Sequence, residues 1–273
     1  MSSEAQNIYD LPEFFSAYST LPRSQGGLSS APEWPVLRRM VLQGSTQQLN
    51  SDEKELDGKK VLDLGCGYGW FSRWARESGA SHIRGVDLSE KMINRAKEFD
   101  DAAENRLCEI VFETGDLDKI TFRDSSEEGR YDLVYSSLTF HYVEDLSRLY
   151  RETFASLKQG GKLVFSVEHP ICSAPTIPGP DWTSVQEGGQ EKKVWPLNSY
   201  SEEGWRYTSW LGVSGVKKYH RTVETYVTLL LENGFKLTGL KDWVPSKEAV
   251  SEHPEWADER HRPYFLLISA EKR

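Results

Sequence analysis

Residues 61–70 read VLDLGCGYGW: a strand-forming apolar run, an aspartate, then three glycines opening onto the helix-forming stretch WFSRWARESG. A glycine turn between a buried strand and a helix is a βα joint. It commits the surrounding chain to an α/β architecture if the same rhythm repeats. It does repeat. HIRGVDL predicts a second strand, SEKMINRAKEFD a helix capped by Ser89, CEIVFETGD a third strand and YDLVYSSL a fourth. EDLSRLYRETFASLKQGG then predicts a helix capped by Asp145 and stopped by Gly160–Gly161, and KLVFSVE a fifth strand. Strands that are almost continuously apolar suit burial on both faces, so a parallel, doubly wound sheet is expected. After TVETYVTLLLENGF, a helix, FKLTGLKDW and YFLLISAEK read as two late strands pairing as an antiparallel hairpin. The stretch between them, 244–263, reads as a long polar loop.

Two regions break the rhythm. Residues 9–50 carry two short helices, near 12–18 and 33–43, parted by Pro22 and Gly26–Gly27; residues 1–8 are expected to be a mobile tail. Residues 168–221 hold five prolines and four tryptophans without a clear period. The expected organisation is a lid of helices over 1–50, a Rossmann-like core over 51–167, an aromatic-rich cap insertion over 168–221, and 222–273 completing the core.

The acid in the turn narrows the ligand. A dinucleotide turn offers N–H groups to a pyrophosphate. Asp63, two residues before Gly65, would repel such a ligand by roughly a few kcal/mol at ~4–6 Å and intermediate dielectric. A ligand bringing an ammonium and a sulfonium would be attracted instead. Asp87, ending the second strand, can take two ribose hydroxyls. Asp116, in GDLD after the third, can accept from an adenine amine while Leu117 covers the ring. Three acids at successive strand C-ends define one crevice.

These stretches resemble the class I S-adenosylmethionine-dependent methyltransferases. VLDLGCGYGW, GVDLS, GDL, YDLVYSSLTFHYVED and LKQGGKLVFSV occur in that family's order, over about 56–170, and the resemblance resumes over 222–273. The resemblance implies an α/β, Rossmann-like, doubly wound seven-stranded sheet, mostly parallel with an antiparallel last strand, and S-adenosyl-L-methionine as methyl donor. It implies that Gly65, Cys66 and Gly67 lie along the methionine part, with Asp63 on its ammonium. Asp87 and Leu88 would hold the ribose, Asp116 and Leu117 the adenine. Ser137 or Leu138 would touch the methionine end, and Tyr18 and Arg23 the carboxylate, unless Arg23 is simply a surface arginine.

For the acceptor, the fourth-strand loop SSLTFH lacks the Asn/Asp-Pro-Pro-aromatic pattern of amide and base methylation. It looks like small-molecule enzymes of the ubiquinone/menaquinone-biosynthesis type. A small organic methyl acceptor, taking the methyl on oxygen or nitrogen, is expected. A protein that binds the donor without methylating, or a nicotinamide oxidoreductase, are the other classes. His169, Glu168 and His141 are the acid/base candidates, each also readable as a structural residue. Trp34, Trp195, Trp210 and His220 are the substrate-side candidates; the cap aromatics either wall an acceptor, box a cation, or bury the cap on the sheet.

Formal net charge is −9 with no Lys/Arg run longer than two, so nucleic acid is not an expected partner. Three unpaired cysteines suggest neither disulfides nor a metal site and suit a reducing, cytoplasmic setting. The N-terminus lacks a signal-peptide pattern and no membrane span is expected.

Overall fold

The structure is a computed structural model that describes residues 5–43, 54–103, 108–122, 126, 128–177 and 179–273. The expected lid–core boundary at 50/51, residues 1–4 of the expected tail, and Pro178 of the cap lie outside the described residues.

The chain opens with α1 (Pro12–Ser19), α2 (Pro22–Gly26) and α3 (Trp34–Leu42), each with a proline in its first turn, where the missing N–H costs nothing. The βα series follows: β1 (Lys60–Leu64), α4 (Trp70–Glu77), β2 (His82–Asp87), α5 (Glu90–Asp101), β3 (Ile110–Thr114), β4 (Tyr131–Ser137), α6 (Leu146–Ser156) and β5 (Leu157–Glu168). Ser89 Oγ accepts the Met92 N–H and Asp145 Oδ1 the Arg148 N–H, so both expected caps are in place.

After a single turn, α7 (Pro170–Ser173), the cap forms two hairpins: β6 (Thr183–Glu187) with β7 (Gln190–Val194), and β8 (Gly204–Trp210) with β9 (Val213–His220). The chain ends with α8 (Val223–Glu232), β10 (Phe235–Trp243), α9 (Lys247–Glu252) and β11 (Phe265–Lys272).

The seven-stranded sheet has the order β3-β2-β1-β4-β5-β11-β10. All pairs are parallel except those of β11, which runs against both β5 and β10. Neighbouring residues serve opposite faces. Val61, Leu133, Val164 and Leu267 meet α3, α4 and α5, whereas Leu62, Val134, Leu163 and Leu266 meet α6 and α8. That two-sided burial is why these strands read as unbroken apolar runs.

Three expectations need correction. Helix α6 ends at Ser156, not at the glycines, because Leu157 already pairs with Tyr131 in the sheet. The stretch 244–263 contains α9 and a 3₁₀ segment, Pro254–Arg260. Neither buries a residue, so neither left a hydrophobic period to read. Residues 5–8 are docked: Ile8 is buried and Gln6 bonds the backbone of Gly215 and Lys217 on the cap hairpin. The cap, whose sequence has no clear period, folds as the two β-hairpins. Ile8, Phe14 and Val216 form a small core joining the N-terminal segment to β8–β9, with Tyr9, Tyr18 and Trp210 around it.

Candidate active site

The sheet order reverses between β1 and β4, where the C-ends of adjacent strands diverge and leave a crevice. A cavity of about 490 Å³ occupies it, floored by the loops after β1, β2, β4 and β5 and roofed by the N-terminal segment and β9.

One end is acidic. The turn after β1 is held in the left-handed region at Gly65, Gly67 and Gly69, with φ of 75°, 52° and 71°. At Gly65 a Cβ would also lie 2.1 Å from the Thr139 hydroxyl, so only glycine fits. Asp63 is buried just beneath and accepts from Ser72 Oγ at 2.7 Å. Burial, with Asp87 adding a like charge, pushes its carboxyl up to about 7. Asp87 accepts the N–H groups of Gly67 and Ser89, each at 2.9 Å, and burial pushes it up to about 6. Asp116 accepts from the Asp118 N–H at 2.9 Å, with Lys119 Nζ 2.9 Å from its other oxygen. Burial thus holds Asp63 and Asp87 above the usual carboxylate range, and the charge of Arg73 does not offset it at Asp63.

Cys66, Gly67, Leu88, Leu117, Ser137 and Leu138 line the same end, as do Tyr18 and Arg23 from the N-terminal helices. Leu138 has φ of 52°, unusual for a branched side chain, and its N–H is tied to Ser166 O at 2.9 Å. Arg23 Nη2 pairs with the buried Glu33 at 2.7 Å and lies over the Phe265 ring.

The other end is aromatic and electrically balanced. Tyr9, Tyr142, Trp210, Tyr264 and Phe265 line it, with His141, Glu168 and Lys218. Lys218 Nζ lies 2.9 Å from Glu168 Oε2. Burial works to raise the Glu168 carboxyl, but the Lys218 charge beside it carries it below the usual range. His141 Nδ1 accepts the Glu168 backbone N–H at 3.4 Å, and burial pushes the imidazole down to about 3.

Four expected site residues lie elsewhere. His169 follows Glu168 on a strand, so its side chain points the other way. Its Nε2 meets Asp242 at 2.9 Å and its Nδ1 caps α7 through the Ile171 N–H. His220 is buried between Ser173 Oγ at 2.8 Å and Tyr200 O at 2.9 Å. Trp34 sits in the core against Phe71, Trp74 and Tyr135. Trp195 donates Nε1–H to Ile171 O, and with Trp182 it boxes a cation supplied by the chain itself: the Arg262 guanidinium lies 4.0 Å and 5.3 Å from the two rings. Of the cap tryptophans named, Trp210 alone lines the cavity.

Sequence reasoning missed Lys218, Tyr9, Tyr142 and Tyr264. The lysine left a signal. In VSGVKKYH, Val216, Lys218 and His220 fall on one strand face, and that face is the inward one. Among the described residues, no cluster of His, Cys, Asp and Glu could hold a metal, and no helix is long and apolar enough to cross a membrane.

The family described as "Methyltransferase domain" matches residues 62–165. A solved S-adenosylmethionine-dependent methyltransferase from Mesorhizobium loti is 40% identical, with a TM-score of 0.74, covering 90% of this chain and 100% of that one. An uncharacterized protein of Haemophilus influenzae is 29% identical over 272 residues, 97% of each chain. A ubiquinone biosynthesis O-methyltransferase of Coxiella burnetii is 35% identical over 111 residues, 41% of this chain and 44% of that protein.

Proposed function

The chain belongs to the S-adenosylmethionine-dependent methyltransferases, and from that premise we propose that it methylates an oxygen or nitrogen of a small organic molecule, with the acidic end of the cavity holding the donor. The observation that carries the assignment of ends is Asp63: a buried carboxylate whose charge is poorly compensated by the protein. A ligand bringing an ammonium supplies what is missing, whereas a pyrophosphate would add repulsion.

The residues fit that donor. Gly65 and Gly67, which carry no Cβ, leave the backbone open along its amino-acid part. Asp63 accepts from the ammonium. Asp87 already uses one lone pair of each oxygen on a backbone N–H, which aims the remaining pairs toward a diol. Asp116 and Leu117 take the adenine; Arg23 and Tyr18 close over the carboxylate. When bound, the donor supplies a methyl group made electrophilic by its sulfonium.

What the chain contributes is alignment and dryness. Tyr9, docked on Tyr142 at 3.3 Å, and the Ile8–Phe14–Val216 core keep the N-terminal segment shut over the cavity. Excluding water and fixing the line between acceptor and methyl account for much of the acceleration expected of such a displacement. Glu168, ionised, is the proton acceptor; His169, turned away toward Asp242, takes no part. The relative named for ubiquinone biosynthesis supports a small acceptor.

The test is direct: calorimetric titration with S-adenosylmethionine, S-adenosylhomocysteine and NADH, followed by transfer of labelled methyl to a panel of small alcohols, phenols and amines. Binding of the first two and not of NADH, with label entering a panel member, is expected. NADH binding alone, or label entering only protein or nucleic acid in a cell extract, contradicts the proposal.

A further inference from the structure

The acceptor end of the cavity holds a hydrogen-bonding pair whose polarity is set by the backbone. His141 Nδ1 is occupied as an acceptor by the Glu168 N–H. In a neutral imidazole the proton is therefore on Nε2. Among the described residues no protein group engages Nε2, and the ring lines the cavity. His141 thus presents an N–H, not a lone pair, and is unable to act as the base. Beside it, Glu168 presents a carboxylate that only accepts. The two are linked by that hydrogen bond, because the N–H that fixes the imidazole is the backbone N–H of the glutamate itself.

Each charged group facing this pair is engaged within the protein. Glu168 on β5 faces Lys218 on β9; Arg23 is matched by Glu33; Arg221, from the residue after β9, also acts on the imidazole but is engaged by the carbonyls of Val143 and Glu144. Unmatched acids, Asp63 and Asp87, lie toward the donor end. A carboxylate acceptor would meet Glu168 and those acids. An ammonium acceptor would meet Lys218 and, beyond it, the donor's own positive sulfur. An uncharged ring with one hydroxyl meets neither penalty. Its O–H gives to Glu168, its lone pair takes the His141 N–H, and its faces and edges meet Tyr9, Tyr142, Tyr264 and Trp210.

We propose that His141 and Glu168 form a donor–acceptor pair that selects an uncharged hydroxyaromatic methyl acceptor, with His141 as the hydrogen-bond donor and Glu168 as the proton acceptor. This rests on the methyltransferase reading above. In the transfer, the hydroxyl oxygen forms the new C–O bond, and the C–S bond breaks with its electron pair remaining on sulfur. The hydroxyl proton passes to the Glu168 carboxylate. A weak base suffices, since an oxygen gaining a methyl becomes far more acidic than a carboxylic acid.

The experiment uses full-length protein saturated with S-adenosylhomocysteine, whose own binding is first verified by calorimetry. Failure at that step counts against the methyltransferase reading; failure beyond it counts against the pair alone. Nitrogen NMR of the labelled imidazoles should show His141 protonated on Nε2 and unchanged from about pH 5 to about pH 8. Titration with para-ethylphenol, para-ethylanisole, para-ethylbenzoate and para-ethylbenzylamine should rank the phenol first, by about tenfold for one hydrogen bond. His141→Phe should reduce phenol binding about tenfold and His141→Gln, which keeps an N–H, by no more than about threefold. Preference for the benzoate or the amine, no preference or no binding within the set, an Nδ1-protonated His141, or equal phenol binding by His141→Phe overturns the proposal. The NMR result needs no variant, so misfolding of His141→Phe leaves a decisive measurement.

Discussion

Asp87 Oδ2 accepts the backbone N–H of Gly67 at 2.9 Å, tying the end of β2 to the glycine turn after β1. Its other oxygen accepts from Ser89 at the start of α5. One carboxylate therefore shapes the turn as well as facing the cavity. Asp87→Ala removes both tethers and the acceptor assigned to the ribose. Charge-assisted hydrogen bonds contribute about 1.5–3 kcal/mol each, so donor affinity should fall by about 100-fold or more, with a lowered melting temperature. Calorimetry and thermal unfolding of the same variant measure the two effects separately.

Donor affinity should depend on pH in a stated direction. Asp63 and Asp87 titrate near 7 and 6 in the free protein, above the usual carboxylate range. Raised values mean the folded, unliganded chain binds protons more tightly than the unfolded one. Their contribution is therefore most favourable below the ordinary carboxylate pKa and is lost as pH rises through about 6 to 7. The donor needs both ionised, Asp63 to meet its ammonium and Asp87 to accept from its ribose hydroxyls, so its affinity should rise over that interval, with protons released on binding. Titrations in buffers of different ionisation enthalpy report the proton count; a flat profile contradicts the account.

Trp34 is a core residue, and Trp34→Ala should act on stability alone. Loss of a buried aromatic costs about 3–5 kcal/mol. Its rings' neighbours, Phe71, Trp74 and Tyr135, would be left around a void. Denaturant unfolding should show the loss, while donor affinity in the remaining folded protein stays within about threefold, well under the tenfold that 1.4 kcal/mol represents.

Arg262 fastens the first cap hairpin. Its guanidinium lies against Trp182, Trp195 and Tyr264, and its Nη2 donates to both oxygens of Glu259 at 2.9 and 2.8 Å. Arg262→Lys keeps the charge but loses the planar group that lies on the rings, and Arg262→Ala loses both. Hydrogen exchange over residues 183–194 should quicken in the order wild type, lysine, alanine, with donor affinity unchanged. Equal exchange in all three would show that the hairpin is held by other contacts.

The sheet was legible because its inner strands β1, β4, β5 and β11 are buried on two faces and each major helix on one, so apolar run and helical period speak directly. The cap was not, for a physical reason: β6 and β7 lie exposed and carry no alternation to read. A signal was nevertheless present in Gly188–Gly189, a two-residue turn with φ of 61° and 79° between polar strands. At the site, spacing placed the acids at strand ends, and all three line the cavity. The histidines were harder. A histidine's role depends on which partner meets which nitrogen, and the partners of His169, His220 and His141 come from 73, 47 and 27 residues away. Alternation did contain one usable rule: Glu168, the last residue of β5, and His169, the next, are extended neighbours, so only one of them turns to the cavity.

The charge match at Asp63 is best measured by replacing it with its uncharged isostere. S-adenosylhomocysteine keeps the ammonium and lacks the reactive methyl, so its binding isolates that match from catalysis. Asp63→Asn should bind it about 10- to 100-fold more weakly than wild type, as expected for a lost charged hydrogen bond, and should lose most of the pH dependence. Unchanged affinity in the asparagine variant, with the fold intact by circular dichroism, would contradict the account at its centre.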